Sequence, residues 1–244
     1  MEFNGGKCKV LHIGKNNPRY NYKIPQDGVT IDLQETVCEK DLGIFIDPLL
    51  NFEEHINTTV KKARSIAGLI IRTITFKSKE IMVPLFKSLV RPILEYGNVV
   101  WCPKKRKHID IIESVQRHFT KCIIGMRNVE YKDRLKALKL PSLEFRRLRG
   151  DLIETYKMTH NFYDTVTTNS LISFNQTSTR SHKYKLLKPR VNTSTFLHFF
   201  TNRIINVWNN LPGNIVEAKS LNCFKNYIDI YFKDCMYDMN FNIS

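Results

Sequence analysis

Short clusters of basic side chains are the residues of this chain whose type and spacing point most directly to chemistry. Lys104, Lys105, Arg106 and Lys107 follow one another directly after Pro103. Such a cluster can clamp phosphates or serve as a nuclear-import patch, and an exposed basic loop is an equally good interpretation. Further candidates for phosphate contact lie downstream, at Arg117, Lys121, Arg146, Arg147, Arg149, Lys183, Lys188 and Arg190.

The downstream candidates occur in two sequence contexts. The three arginines of 146–149 open a predicted long helix, where they can neutralise phosphates or simply form its polar face. The basic residues of 183–190 alternate with Tyr184 and leucines, so Tyr184 offers a face for base stacking. In the tail, Arg203 and Trp208 are candidates for RNA recognition, although a tryptophan on an apolar helical face usually belongs to the core.

Positive charge is concentrated in the middle of the chain. The sequence has 38 Lys and Arg against 23 Asp and Glu, a net charge of +15. Residues 61–160 hold 23 basic and 9 acidic residues, whereas residues 1–60 hold 6 and 9. This distribution favours a helical region with one face on a polyanion, and a merely solvated basic surface is the alternative.

Signatures of catalysis and of metal binding are missing from the sequence. It contains no Asp-Asp pair for two-metal phosphoryl transfer, no phosphate-binding loop, no nucleophile elbow and no His-Glu-x-x-His motif. Glu53-Glu54-His55 and His108-Ile109-Asp110 are interpreted as solvated helix starts rather than metal ligands. The six cysteines form no Cys-x-x-Cys pair, which indicates free thiols. We therefore predict no metal and no cofactor for this chain.

Apolar periodicity predicts a mainly helical fold beyond residue 50. Asn51 caps a first helix that runs to about residue 75, with an apolar stripe at helical spacing. Ser78 caps a second helix, which Pro84 and Pro92 should kink or interrupt. Further helices are predicted over 108–124, 143–162, 196–208 and 219–232.

Strands are predicted only at the start of the chain. Alternation over residues 8–13 and turn residues after it predict a hairpin with 20–24, and a third strand is predicted over 41–47. The polar segment 163–195 predicts a basic linker. The expected fold is thus α+β and predominantly α-helical, with strands in 1–50, helices in 51–162, the linker at 163–195 and a small helical tail at 196–244.

Several motifs occur in a fixed order along the chain. The first are Asn4-x-x-Lys7-Cys8-Lys9-Val10-x-His12-x-Gly14 and Asp41-Leu42-Gly43-Ile44-x-Ile46-Asp47. They are followed by Leu89-Val90-Arg91-Pro92-x-Leu94-Glu95-Tyr96-Gly97, Ile112-Glu113-x-Val115-Gln116-Arg117 and Val207-Trp208-Asn209-x-Leu211-Pro212. This ordered set resembles the C-terminal part of reverse transcriptases from non-LTR (LINE-type) retrotransposons, particularly the jockey-like group.

The resemblance implies roles for several residues. Residues 1–50 would be the end of a palm with Leu42, Gly43 and Ile44 on its primer-grip hairpin, and 51–162 would be the thumb that holds the template-primer duplex. Lys7 falls where that palm presents a possible proton donor to the leaving pyrophosphate. The catalytic Asp-Asp pair and the Mg²⁺ ions of the family would lie upstream of Met1, so this chain alone is expected to be inactive.

The function expected from the sequence is therefore binding of RNA, DNA or an RNA-DNA hybrid by a fragment of an RNA-directed DNA polymerase of a mobile element. Alternatives are a domesticated nucleic-acid-binding protein and a helical scaffold for protein partners. No apolar stretch approaches the roughly 18 to 20 residues of a membrane span, and the first residues lack the apolar core of a secretory signal. We expect no membrane partner and an intracellular location, nuclear or cytoplasmic. The sequence does not indicate an oligomeric state.

Overall fold

The computed structural model describes residues 5–26, 28–175 and 182–239 of the chain. The fold is α+β and mostly helical, which confirms the predicted fold class. Contacts divide the chain into two units, residues 1–58 and 59–244. The predicted linker, 163–195, and the predicted tail, 196–244, both lie in the second unit.

Short strands organise the described part of the first unit. They are β1 (Lys9–Val10), β2 (Lys23–Gln26), β3 (Val29–Asp32), β4 (Gln34–Glu35), β5 (Glu39–Asp41) and β6 (Ile44–Ile46). The strands pair two by two, β1 with β4 in parallel and both β2 with β3 and β5 with β6 antiparallel. Each ladder is only two strands wide, so no extended sheet forms among the residues described here.

The predicted pairing of 8–13 with 20–24 is wrong. The second segment pairs instead with β3 across Gly28, whose φ of +77° allows the tight turn. Residues 41–47 form a turn and a strand rather than one continuous strand. Leu42 and Gly43 both have positive φ, +43° and +86°, which suits a two-residue hairpin turn between β5 and β6.

Helices make up most of the rest of the chain. They are α1 (Glu53–Thr73), α2 (Lys79–Leu85), α3 (Arg91–Glu95), α4 (Arg106–Lys121), α5 (Tyr131–Leu138), α6 (Leu143–Thr159), α7 (Thr165–Leu171), α8 (Ser194–Leu197), α9 (Phe200–Asn210), α10 (Gly213–Val216) and α11 (Leu221–Tyr231). The predicted helices occur within a few residues of their expected bounds, except that 196–208 is divided between α8 and α9. The helices α5, α7 and α10 were not predicted, because eight, seven and four residues are too few for a clear apolar period.

The two prolines of the second predicted helix change its geometry without ending it. Between α2 and α3 the chain forms a π-helical turn, Phe86–Val90. Pro92 is the second residue of α3 and follows this turn directly, and the Arg91 N–H before it bonds to the Phe86 carbonyl. The widened turn therefore reconciles both prolines with a continuous helical path.

One apolar core of the second unit surrounds α6. Leu152 and Tyr156 of α6 pack in one buried cluster with Trp208 of α9 and Phe224 of α11. The indole nitrogen of Trp208 donates to the carbonyl of Tyr184 at 2.8 Å. Trp208 is completely buried, so the interpretation of this residue as core is confirmed.

The segment predicted as a linker contributes to this core. Ile172 and Leu186 are buried in it, and Phe174 pairs with Leu186 across an isolated antiparallel bridge. The side-chain amide of Asn209 donates to the Leu186 carbonyl and accepts from its N–H, at 2.8 and 2.9 Å. The Asn209 side chain thus makes the two backbone hydrogen bonds that a neighbouring strand would make. A composition dominated by Thr, Ser, Asn and Lys does not predict this contact. Residues 176–181 lie outside the described part.

Candidate nucleic-acid interface

α1 presents an exposed basic stripe beside its buried apolar stripe. Lys61, Arg64 and Arg72 are exposed and follow at i, i+3 and i+11, so they share one side of the helix. Val60 and Ala63, at other angles, are buried. The helix is therefore amphipathic, with cations on its open side.

α4 has a stripe of the same kind. Ser114, Arg117 and Lys121 follow at i, i+3 and i+7, and the two basic residues are exposed. Ile112 and Phe119, on the other side of the helix, are completely buried. Packing of these apolar residues fixes the rotation of α4 and keeps its basic residues in solvent.

Two hydrogen bonds bring the stripes together. Arg64 Nη2 donates to Ser114 Oγ at 2.8 Å, and farther along the chain the Ile124 N–H donates to the Lys77 carbonyl at 3.0 Å. These two contacts occur in the same order along both segments, so the helices point in the same direction and are linked at Arg64 and Ser114 and again beyond their C-terminal ends. We call the combined surface the two-helix basic face, which consists of Lys61, Arg64, Arg72, Arg117 and Lys121.

The charge of this face is not balanced by nearby carboxylates. The sequence has no Asp or Glu between Glu54 and Glu80. Within the described residues, none of the five cations of the face forms an ion pair, and Asp110, one turn before Ser114, pairs with Arg106 at 2.9 Å. Exposed cations without a carboxylate partner are available to bind an anion.

A buried polar cluster holds α4 in place behind the face. Glu113 is completely buried, accepts a hydrogen bond from the Tyr131 hydroxyl of α5 and accepts another from the Leu143 N–H of α6 at 2.9 Å. Burial raises the pKa of Glu113. The Arg117 guanidinium lies 4.9 Å from the centre of the Tyr131 ring, so a cation-π contact orients one member of the face.

The cluster Lys104–Lys107 is partly used within the fold. Lys104 Nζ lies 3.2 Å from the Thr195 hydroxyl oxygen. Arg106 pairs with Asp110 and also with Glu144 of α6, at 2.9 and 3.3 Å. Lys105 and Lys107 are exposed.

The three arginines of α6 are built into the protein. Arg146 binds Glu95 with two hydrogen bonds of 2.8 and 2.9 Å, and Arg149 binds Asp229 of α11 with two of 2.6 and 2.8 Å. Arg147 is only 6% exposed. Carboxylates from α3 and α11 therefore bind two of the three arginines for which phosphate contact and a polar helix face were the two interpretations.

The remaining predicted residues lie apart from the two-helix basic face along the chain. Lys183, Lys188 and Arg190 are exposed, and Lys183 Nζ lies 5.1 Å from the Tyr184 ring centre. Lys7 is exposed at the end of a short 3₁₀ turn, Gly5–Lys7. Leu42 and Gly43 form the tip of the β5-β6 hairpin and Ile44 begins β6. Arg203, a candidate in the tail, is bound to Asp151 by two hydrogen bonds of 2.8 Å.

Among residues 5–26, 28–175 and 182–239, no three or more His, Cys, Asp or Glu side chains are grouped so that they could hold a metal ion. No helix there has the length and apolar character needed to cross a membrane.

Comparison with known proteins does not show a family for this chain. No protein-family model matches the chain, and no solved structure matches it. Among curated proteins, the uncharacterized Caenorhabditis elegans protein B0403.1 is 27% identical over 119 residues. These residues are 48% of this chain and 60% of that protein, so the chain covers less than two thirds of this relative.

Two residues of the two-helix basic face, Arg117 and Lys121, were among the predicted contact residues. The other three, Lys61, Arg64 and Arg72, were not. The signal for the missed residues was present, since α1 lacks acidic residues after its first turn and its cations keep helical spacing. The sequence prediction relied instead on runs of adjacent basic residues. Adjacent residues point in different directions from a helix, whereas spaced ones share a face.

Proposed function

We propose that this chain binds the phosphate backbone of a nucleic-acid duplex through the two-helix basic face. The observation that carries the proposal is the alignment of five cations on two parallel helices without ion-pair partners among the described residues. A helix rises about 1.5 Å per residue, so Lys61 and Arg72 lie about 16 Å apart along α1. That length corresponds to about five nucleotides of one duplex strand at about 3.4 Å each.

Backbone contact of this kind does not depend on base sequence. Phosphate contacts fix the position of a protein on a duplex, whereas sequence is recognised at base edges in the grooves. The face offers long flexible cations and no side chain that inserts between bases. The proposed ligand class is therefore a duplex of any sequence.

The motif resemblance supports an RNA-DNA hybrid as the preferred duplex. In the reverse transcriptases that the chain resembles, α1 and α4 would fall in the thumb, which holds the template-primer hybrid. We accordingly propose that the chain is a template-primer binding region of the kind found in non-LTR retrotransposon polymerases. A domesticated binding protein would use the same face in the same way.

Fluorescence anisotropy with a labelled RNA-DNA hybrid tests the proposal. The logarithm of the binding constant should fall linearly with the logarithm of salt concentration, with a slope of about −0.9 per phosphate contacted if the hybrid behaves as duplex DNA does. Alanine at Lys61, Arg72 and Lys121 together should weaken binding at least tenfold and should make the slope less steep.

A control variant removes the same amount of charge elsewhere. Lys219, Lys225 and Lys233 form no ion pair in the described part of the chain, and alanine at all three lowers the net charge equally. This variant should keep most of the affinity. Equal losses in the two triple variants would mean that net charge, not the face, drives binding. Binding unchanged between 50 and 200 mM salt would favour a protein-interaction scaffold instead.

A further inference from the structure

A second group of cations lies between the π-helical turn, α3 and α6. Glu95 is shared by two arginines: Arg146 binds both of its oxygens at 2.8 and 2.9 Å, and Arg91 Nε approaches no closer than 3.8 Å. Arg149 is bound to Asp229. The side chains of Arg91, Arg146 and Arg149 are 21%, 22% and 16% exposed, so the group is largely withdrawn from solvent.

Lys87 lies in the π-helical turn, four residues before Arg91 on the same helical path, so the two side chains are within one turn of each other. Burial, together with the charges of Arg91 and Arg146, lowers the pKa of Lys87. Burial and the charges of Arg146 and Arg149 likewise lower the pKa of Arg91, against the opposing effect of Glu95. Neighbouring positive charge therefore destabilises the charged forms of Lys87 and Arg91, whereas the hydrogen bonds to Glu95 raise the pKa of Arg146. We call these four cations and the two carboxylates the Arg91 cluster.

The Arg91 cluster carries an excess of positive charge. Lys87, Arg91, Arg146 and Arg149 contribute four charges, and Glu95 and Asp229 offset two. Glu95 is taken up by Arg146, which leaves Arg91 beyond hydrogen-bonding distance of it. A guanidinium that is partly desolvated and lacks a close acceptor favours an incoming anion.

We propose that the Arg91 cluster is a binding site for a phosphomonoester, with Lys87 and Arg91 contacting the phosphate and Arg146 and Arg149 adding to the positive field. A phosphomonoester carries about −1.5 to −2 charges at pH 7, which matches the excess of two. An internal phosphodiester carries a single charge and would leave the cluster unbalanced. The site differs from the two-helix basic face in position, and its test does not require that face to bind anything.

The phosphate could be the 5′ end of a nucleic-acid strand or belong to a free small molecule. Both sources present the same dianion to Lys87 and Arg91. A strand end would use the cluster together with the two-helix basic face, whereas a small phosphorylated molecule would use the cluster alone. The experiments below separate the two.

Thermal unfolding of the full chain with inorganic phosphate at constant ionic strength tests the site. The midpoint should rise saturably with phosphate, because a ligand that binds only the folded state stabilises it. Lys87→Met keeps the length of the side chain and removes its charge, so it should abolish most of the phosphate-dependent rise. In phosphate-free buffer the midpoint of this variant should equal or exceed that of the wild type, because repulsion from Arg91 and Arg146 is relieved.

Lys219→Met removes one exposed charge outside the cluster and should keep the full response to phosphate. An equal rise in both variants, or no rise in the wild type, overturns the proposal. A lower midpoint of Lys87→Met without phosphate also counts against it, since Lys87 would then have a structural role.

Paired oligonucleotides with a 5′-phosphate or a 5′-hydroxyl identify the source of the phosphate. Tighter binding of the phosphorylated strand, with the difference lost in Lys87→Met, supports the site and assigns it to a strand end. Equal binding of both strands, with the thermal response to inorganic phosphate intact, supports the site and assigns it to a free phosphomonoester. If the chain failed to bind the nucleic-acid backbone but still responded to inorganic phosphate, the proposed function would be wrong and the proposal for the Arg91 cluster would be unaffected.

Discussion

The two-helix basic face and the arginines of α6 contain similar residues in opposite surroundings. Arg64 and Arg72 lie on an exposed stripe of a helix that has no acidic residue after its first turn. Arg146 and Arg149 lie on a helix packed between others, and each is held by a carboxylate with two hydrogen bonds. The first set leaves charge available to a ligand, whereas the second connects helices.

The difference is set by what stands opposite each cation. Glu95 of α3 and Asp229 of α11 each pair with an arginine of α6, because α11 packs in the same core as α6 and the end of α3 lies beside that helix. On the basic stripe of α1, by contrast, Arg64 donates a hydrogen bond to the Ser114 hydroxyl, which carries no charge. Counting basic residues therefore says less about nucleic-acid binding than counting the cations that have no partner.

The largest expected effect on stability comes from removing one partner of a buried ion pair. Asp151 is 4% exposed and binds Arg203 at 2.8 Å with two hydrogen bonds. Asp151→Ala leaves a buried guanidinium without its counterion and should lower the free energy of unfolding by about 3–5 kcal/mol. Urea unfolding followed by circular dichroism measures this loss.

A double variant distinguishes the charge effect from lost packing. Asp151→Leu combined with Arg203→Met removes both charges and should recover much of the stability. If Asp151→Ala unfolds with wild-type stability, the pair is not the buried connection described above. The affinity of the folded fraction of Asp151→Ala for an RNA-DNA hybrid should stay within about twofold of wild type, because the face is untouched.

A carboxylate placed in the basic face should have an intermediate effect. Ser114→Glu would set a negative charge beside Arg64 and so give the face the partner it lacks. Affinity for an RNA-DNA hybrid should fall about tenfold at low salt, which is about 1.4 kcal/mol. The loss should shrink as salt screens the added charge.

Ser114→Gln is the matched control, because it has nearly the same size without the charge. It should bind the hybrid with close to wild-type affinity. Both variants should unfold within about 0.5 kcal/mol of wild type, as is usual for surface changes. Equal affinities of Ser114→Glu and Ser114→Gln would show that the hybrid does not contact this face.

Local signals in the sequence were enough to predict most helices but not their partners. Apolar periodicity predicted α4 and α6 within a few residues of their bounds, and Asn51 with the apolar stripe after it predicted α1. Strand pairing failed because neighbouring segments were assumed to pair, whereas β1 pairs with the more distant β4. The pairing of Arg146 with Glu95 and of Arg149 with Asp229 joins residues 51 and 80 positions apart, which no local pattern can encode.

The buried Glu113 provides a last test, in which interior charge affects stability and leaves binding unchanged. Burial raises the pKa of Glu113 above its ordinary value near 4.5, so the folded state holds this proton more tightly than the unfolded state does. The contribution of Glu113 to stability is therefore greatest at low pH and decreases as pH rises from about 4.5 through the folded-state pKa.

Glu113→Gln cannot lose this proton, so wild type should lose stability relative to this variant between pH 4.5 and 7.5 in urea unfolding. Wild type gaining stability over Glu113→Gln across that range would contradict the raised pKa. Hybrid affinity at fixed pH should be the same in both proteins, because Glu113 faces Tyr131 and Leu143 rather than solvent.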